Sequence, residues 1–379
     1  MSFEELIVEC LANLEDDAPR LVWADAIGGE RGELVVLQCA LARGGQSPRE
    51  SGMLRRRQRE LLAARGVEWS GLARIAKRCR FRRGFVEYLA IDAPRLLPNI
   101  DAVFAIAPFV RVLHVDETTE GQLEEIAALP EVAQLRGFGF GATGQQPGQL
   151  LARLAERGTF ARLESLSTSF FPEATASMLD SVANLRRVDT GVGELPAPEL
   201  IAQMSKLRSL QISYKDSTSL ARVLPDSVVE LEIRAACLPA FANAPIAARL
   251  EGLAVSETEG PIDLSAFRAL RSLHVRPVRG TIVDTSFVDH VPALRELRCS
   301  RITPAVAHAI VDTLGEQLEQ LEISVTGEEQ AALADVPWER VAGDAHVTLY
   351  VLSGIPLFAG ELPGSSMWDY PWVQFPRAQ

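Results

Sequence analysis

Apolar side chains recur along this chain in a short rhythm nested in a long one. The short rhythm is apolar-x-x-apolar-x-apolar: VEYLAI from Val86, VRVLHV from Val110, LRGFGF from Leu135, LESLST from Leu163, LRRVDT from Leu185 and LRSLQI from Leu207. It continues as VVELEI from Val228, LEGLAV from Leu250, LRSLHV from Leu270, LRELRC from Leu294 and LEQLEI from Leu318, with a weaker copy, HVTLYV, from His346. Successive copies start 20 to 28 residues apart. Alternation at period two predicts a short strand in each copy, one row of side chains turned inward and the other outward. A single strand cannot bury its leucines, whereas stacked copies bury them against one another, so the pattern predicts parallel strands joined by returning segments.

Several returns carry helical spacing: TEGQLEEIAAL (119–129), PGQLLARLAERG (147–158), EATASMLDSVANL (173–185) and TPAVAHAIVDTLGEQL (303–318). PIDLSAFRAL (261–270) has room for only a turn or two. Ahead of the repeats the period changes. Phe3, Leu6, Ile7, Cys10, Leu11 and Leu14 share one face of a helix over 2–14, and Asp16 or Asp17 caps a second helix that ends near Ile27 at Gly28-Gly29. A third runs through GELVVLQCALAR to Gly44-Gly45, and a fourth, over 51–65, stops at Gly66. The organisation read from these patterns is a small all-α domain over 1–83, repeats over 84–352, and an aromatic, proline-rich tail over 353–379. Trp368, Tyr370, Trp372 and Phe375 in that tail are read as a cap over the open apolar end of the array, with a docking segment for a partner as the alternative.

The copies in register resemble the leucine-rich-repeat family, whose repeats span about 20–29 residues, and the resemblance covers roughly 84–352 as about twelve repeats. It implies an α/β solenoid with parallel strands on a concave face and a helical or irregular convex face. The family's Asn or Cys three residues after the last strand leucine is missing: Thr118, Lys215, Ala236 and Thr258 are among the residues found there, which excludes a continuous asparagine ladder. The stretches DDAPRLVWAD (16–25), RGELVVLQCALAR, RRRQRELL and Trp69 resemble the bacterial repeat-companion domain, seen at the N-terminus of leucine-rich-repeat proteins of myxobacteria and planctomycetes. FRRGFVEYLAI (81–91) is similar to the junction between that domain and the first repeat. The resemblance implies no enzymatic activity.

Charge narrows the choice of partner. A formal charge of −12 argues against a general nucleic-acid or anionic-membrane binder. Segment 49–83 departs from that average, with twelve Lys and Arg against three Glu. Arg55, Arg56, Arg57, Arg59, Arg78, Arg80, Arg82 and Arg83 form a candidate basic patch for phosphate, RNA or an acidic partner. Few aromatics interleave with them for base stacking, so nucleic acid is the lesser reading. Five cysteines without ligand spacing, and an acidic N-terminus without a secretory apolar run, point to a reduced, cytoplasmic, membrane-free setting. A monomer is expected, and no cofactor or metal is read from the residues.

Three acids in DDAPRLVWAD raise a catalytic reading, but no His or Cys lies nearby. Asp25 is expected to pair with Arg20 or with an arginine of the third or fourth helix, and Trp23 to fill a core. On the outward row, Asp92, His114 and Asp116 are close enough to suggest an acid–base or metal cluster, and are read as a solvated group. Gly137, Gly139, Gly141, Ser165, Ser167 and Ser169 leave a bare floor. Arg187, Asp189, Gln211, Glu230, Glu232, Arg234, His274, Arg276, Glu296, Arg298 and Glu322 follow as a charged wall, a groove suited to an extended peptide or a protein surface. Cys299 falls on an inward position and reads as core. The sequence therefore predicts a non-enzymatic protein-binding scaffold, with an adaptor for nucleic acid or phosphate through 49–83 as the alternative, and an enzyme built on His114 as the weakest reading.

Overall fold

A computed structural model describes residues 2–142, 147–156, 158, 162–168, 182–190, 197–212, 216–278, 286–300, 302–325, 333, 336, 346–351 and 372–374. The chain divides into two compact units, residues 1–167 with 369–379, and residues 168–368. Among the described residues, no helix is long and apolar enough to cross a membrane.

The first unit opens with four helices, α1 (Phe3–Ala12), α2 (Ala18–Ile27), α3 (Gly29–Arg43) and α4 (Pro48–Ser70). Ser2 with Glu5, and Ser47 with Glu50, form capping boxes at α1 and α4, each matching two amides that the helix leaves open. At α2 the Asp16 carboxylate accepts from the Ala18 amide at 2.9 Å, while Asp17 faces Arg83 at 3.0 Å. Arg20 is fully buried and donates to the Asn13 and Asp16 carbonyls. It therefore does not pair with Asp25, which is exposed. The fourth helix also differs from expectation, running through Gly66 and ending at Gly71, where φ is 66°. One glycine inside a helix costs only about 1 kcal/mol. The turn beyond it offsets that cost, with Ser70 buried and Trp69 lying 5.2 Å from the Arg31 guanidinium.

Leu6, Cys10, Trp23, Ala24, Val35 and Cys39 form the helical core, which Phe85 and Phe109 complete. Phe85 belongs to a hairpin of β1 (Arg78–Arg82) and β2 (Phe85–Asp92). Its turn residues, Arg83 and Gly84, both have positive φ, 48° and 87°, the geometry whose twist suits a two-residue hairpin. Gln38, buried in α3, accepts from the Gly84 amide at 2.7 Å and donates to the Phe81 carbonyl at 3.1 Å. The hairpin is thereby clamped to α3, and the boundary read at 83/84 falls inside its turn. The outer edge of β1 pairs antiparallel with β14 (Trp372–Gln374), the described part of the tail. Calls on the rest of 353–379 lie outside the described residues.

From β2 onward the ladder is parallel: β3 (Val112–Thr118), β4 (Gly137–Ala142) and β5 (Ser165–Thr168) follow in chain order. Leu89, Leu113 and Phe138 share one buried row, and Ile91, Val115 and Phe140 the next. The second unit repeats this plan with β6 (Arg187–Thr190), β7 (Ser209–Ile212), β8 (Glu230–Arg234), β9 (Gly252–Thr258), β10 (Ser272–Pro277), β11 (Glu296–Ser300), β12 (Gln320–Val325) and β13 (His346–Val351). Leu210, Leu231, Leu253, Leu273, Leu297 and Leu321 form an inward ladder shielded completely from solvent. This is the leucine-rich-repeat architecture.

Helices Glu120–Ala127, Pro147–Glu156 and Pro304–Leu314 occupy three of the expected helical returns. Residues 261–270 hold only turns, and the expectation over 173–185 falls mostly outside the described residues. Threonine takes over part of the turn chemistry that asparagine lacks here. Thr118 is buried and donates to the Val115 carbonyl at 3.1 Å, beside Glu117 at φ 52°. Thr258 is likewise buried, beside Glu257 at φ 56°, so a buried threonine after a left-handed residue recurs in a distant repeat.

Candidate functional site

Residues alternating with the leucine ladder of the second unit stand in register on the opposite strand face. One row reads Arg187, Ser209, Glu230, Gly252, Ser272, Glu296 and Gln320. The next reads Asp189, Gln211, Glu232, Ala254, His274, Arg298 and Glu322, with Arg234, Ser256 and Arg276 in a third. Parallel pairing without slippage between these positions places every residue of the expected charged wall on one face. None of them is fully exposed: Arg187, Gln211 and Glu232 are buried, and the others are half-buried.

These charges meet one another. Arg276 on β10 reaches Glu232 on β8 across β9, whose side chains at those rows are the small Gly252, Ala254 and Ser256. Arg298 lies 3.0 Å from Glu322, and Arg234 lies 2.6 Å from Glu257. Ser272 donates to Glu296 at 3.3 Å, and Gln320 to Glu322 at 2.6 Å. Burial lowers the Arg276 guanidinium to about 10, against the favourable charge of Asp189. Two acceptors adjacent in register, Gln211 Oε1 and Glu232 Oε2, take no hydrogen bond from the described residues although both are buried. Among the described residues the face is a paired lattice of charged and polar side chains held in register.

On the first unit, Asp92, His114 and Asp116 do converge, around a residue that sequence reading missed. The Lys77 ammonium pairs with Asp92, lies 3.4 Å from Asp116 and 3.6 Å from Glu117. His114 Nε2 is 3.1 Å from Asp116. Burial opposes ionisation of Asp116, but His114 and Lys77 outweigh it and hold the carboxyl at about 2. An internal cation thus sits where a metal would have to go, and the cluster acts as an electrostatic staple. Among the described residues, no group of three or more His, Cys, Asp or Glu is placed to hold a metal. The neighbouring glycine floor is partly roofed: a Cβ on Gly139 would come within 2.3 Å of His114 Nδ1, and one on Gly137 within 2.8 Å of Val112.

The basic segment is split between a helix and a strand. On α4, Arg57 pairs with Glu33 at 2.7 Å and Glu60 at 3.4 Å, Arg55 and Arg59 are half-buried, and Arg56 is exposed. Arg78, Arg80 and Arg82 alternate along β1. Arg80 is buried 5.6 Å from the Tyr88 ring, and Arg82 lies 3.3 Å from Glu87. Arg83 meets Glu15 at 2.8 Å, and Arg111 meets the same carboxylate at 2.5 Å. Burial opposes ionisation of Glu15, yet hydrogen bonds from Arg111 and Arg83 hold it at about 2. A single acid from the segment after α1 therefore ties the hairpin turn to the approach of β3. All five cysteines are buried thiols outside any disulfide, and burial pushes Cys39 and Cys79 up to about 12, which leaves them poor nucleophiles.

No family model and no curated protein matches the sequence. Among solved structures, the chain is similar to an internalin (inlF) from Listeria monocytogenes, at 10% identity and a TM-score of 0.34, over 70% of this chain and 80% of that one. It is also similar to a leucine-rich-repeat protein from Leptospira interrogans, at 10% identity and a TM-score of 0.25, over 65% of this chain and 91% of that one.

Proposed function

We propose that this leucine-rich-repeat protein is a non-enzymatic cytoplasmic scaffold that binds a protein or peptide partner on the strand face of its second unit, the concave side of the repeats. Repeat arrays present extended, pre-formed surfaces that lose little freedom on binding. The observation that carries the reading is the registered polar lattice from Arg187 to Glu322 on one strand face. The helical module over 1–83 acts as a repeat-companion domain that seats the first hairpin, a role supported by the Gln38 clamp. The carboxylate partners of Arg57, Arg82 and Arg83 support a structural role for the basic segment over an adaptor role.

A variant carrying Glu230→Lys and Glu296→Lys changes half-buried members of the lattice and spares the Arg276–Glu232 pair. Affinity capture from the native cell is expected to lose its partner at least about tenfold, or about 1.4 kcal/mol, with the melting temperature and circular dichroism unchanged. Undiminished capture by that variant contradicts the assignment of the face.

A further inference from the structure

We propose that Arg186 and Arg208, with Lys206 beside them, form a docking site for an acidic segment of a partner protein. Both arginines directly precede the first outward-facing residue of a repeat strand, Arg187 on β6 and Ser209 on β7. The Arg186 carbonyl accepts from the Arg208 amide at 2.8 Å, and the Arg208 carbonyl from the Val229 amide at 3.0 Å. The same main-chain bonding carries the row on through Glu251, Arg271 and Arg295 to Glu319. Neighbours in such a ladder are about 4.8 Å apart, so the two exposed arginines are rooted side by side.

Charge compensation sets this doublet apart from other arginines at the same repeat position. Arg111 meets Glu15 at 2.5 Å, Arg136 meets Glu164 at 3.6 Å and Arg295 meets Glu319 at 4.0 Å, while Arg271 follows Glu251 in the row. Arg186 and Arg208 are exposed and make no ion pair among the described residues, and the next member of their row is the uncharged Val229. Lys206, two residues before Arg208, is exposed and donates to the neutral Asn184 Oδ1 at 2.7 Å. Two neighbouring repeats thus present three cations without a carboxylate partner, in a chain with 50 Asp and Glu against 38 Lys and Arg. Like charges on adjacent strands repel, and an incoming carboxylate relieves that repulsion.

The guanidinium fork binds a carboxylate through two parallel N–H donors, and Asp or Glu side chains clustered in one segment can meet both forks. A nucleic acid is the poorer fit. Three cations neutralise few phosphates on a chain of net charge −12, and Phe241, Phe267 and Phe287 of the same unit are fully buried, out of reach of base stacking. The site precedes the strands and stands whether or not the polar strand face binds a partner.

The test is fluorescence anisotropy of the full-length chain with fluorescein-labelled hexaglutamate as probe. The wild type is expected to bind it, and Arg186→Glu with Arg208→Glu to weaken binding at least tenfold with circular dichroism unchanged. Arg268→Glu with Arg271→Glu alters net charge equally at exposed positions outside the doublet and should change binding less than twofold. Glu230→Lys with Glu296→Lys should not weaken the probe, which separates this site from the strand face. No binding to the wild type, undiminished binding by the doublet variant, or equal losses in the two arginine variants overturns the proposal. So does tighter binding of hexathymidylate than of hexaglutamate, lost in the doublet variant, which would make a nucleic acid the occupant.

Discussion

Gly84→Ala is expected to lower the stability of the first unit by about 3 kcal/mol, a large loss for the smallest possible side chain. Two terms add. A φ of 87° costs a residue with a Cβ about 1–2 kcal/mol, and that Cβ would stand 2.2 Å from Val35 Cγ2 and 3.2 Å from Val35 Cα, an overpacking of about 1–3 kcal/mol. The turn cannot shift to relieve either, since its amide is held by Gln38 and its arginine by Glu15 and Asp17. Urea unfolding followed by tryptophan fluorescence checks the value. Gly121→Ala is the control, because nothing lies within 4 Å of its Cβ and its φ is not left-handed. That change should be neutral or stabilising by about 0.5 kcal/mol.

Phe138→Ala is expected to cost about 3–5 kcal/mol, the range for emptying a fully buried aromatic site. Phe138 is 1% exposed, tilted against Phe140 at 5.8 Å, and in register with Leu113. One residue further on, the strand face reverses. Gly139→Ala brings a Cβ toward the His114 ring, a side chain that can rotate away, so about 1 kcal/mol is expected. Denaturant midpoints for the two variants should therefore differ severalfold in shift. Equal shifts would contradict the assignment of inward and outward rows in GFGFGA.

Much of this was legible in the sequence, because a period of two leaves little choice about which side chains turn inward. Leu210, Leu231 and Leu253 could only be buried together by parallel stacking, and the expected charged wall then had to share one face. What that reading missed depended on distance along the chain. Lys77 is 39 residues from Asp116, and nothing local marks it as the cation of the acidic cluster. The pairing of Arg276 with Glu232 needed the register of three strands and the small residues of β9. The hairpin did leave a signal. Arg78-Cys79-Arg80-Phe81-Arg82 alternates at period two before a turn with glycine, but the density of arginines suggested a charged patch first. At Gly66 the local rule for ending a helix was outweighed by packing beyond it, and at Asp25 the expected partner, Arg20, was already taken by main-chain carbonyls.

The central claim is that the polar strand face of the second unit is where a partner sits. Carboxyl footprinting of the captured complex, read by mass spectrometry against the free chain, tests it most directly. Glu230, Glu296 and Glu322 are half-buried in the free chain and should lose labelling severalfold on binding, while Glu60 and Glu68 on α4 keep theirs. Unchanged labelling at the three lattice glutamates, with protection confined to α4, would contradict the account.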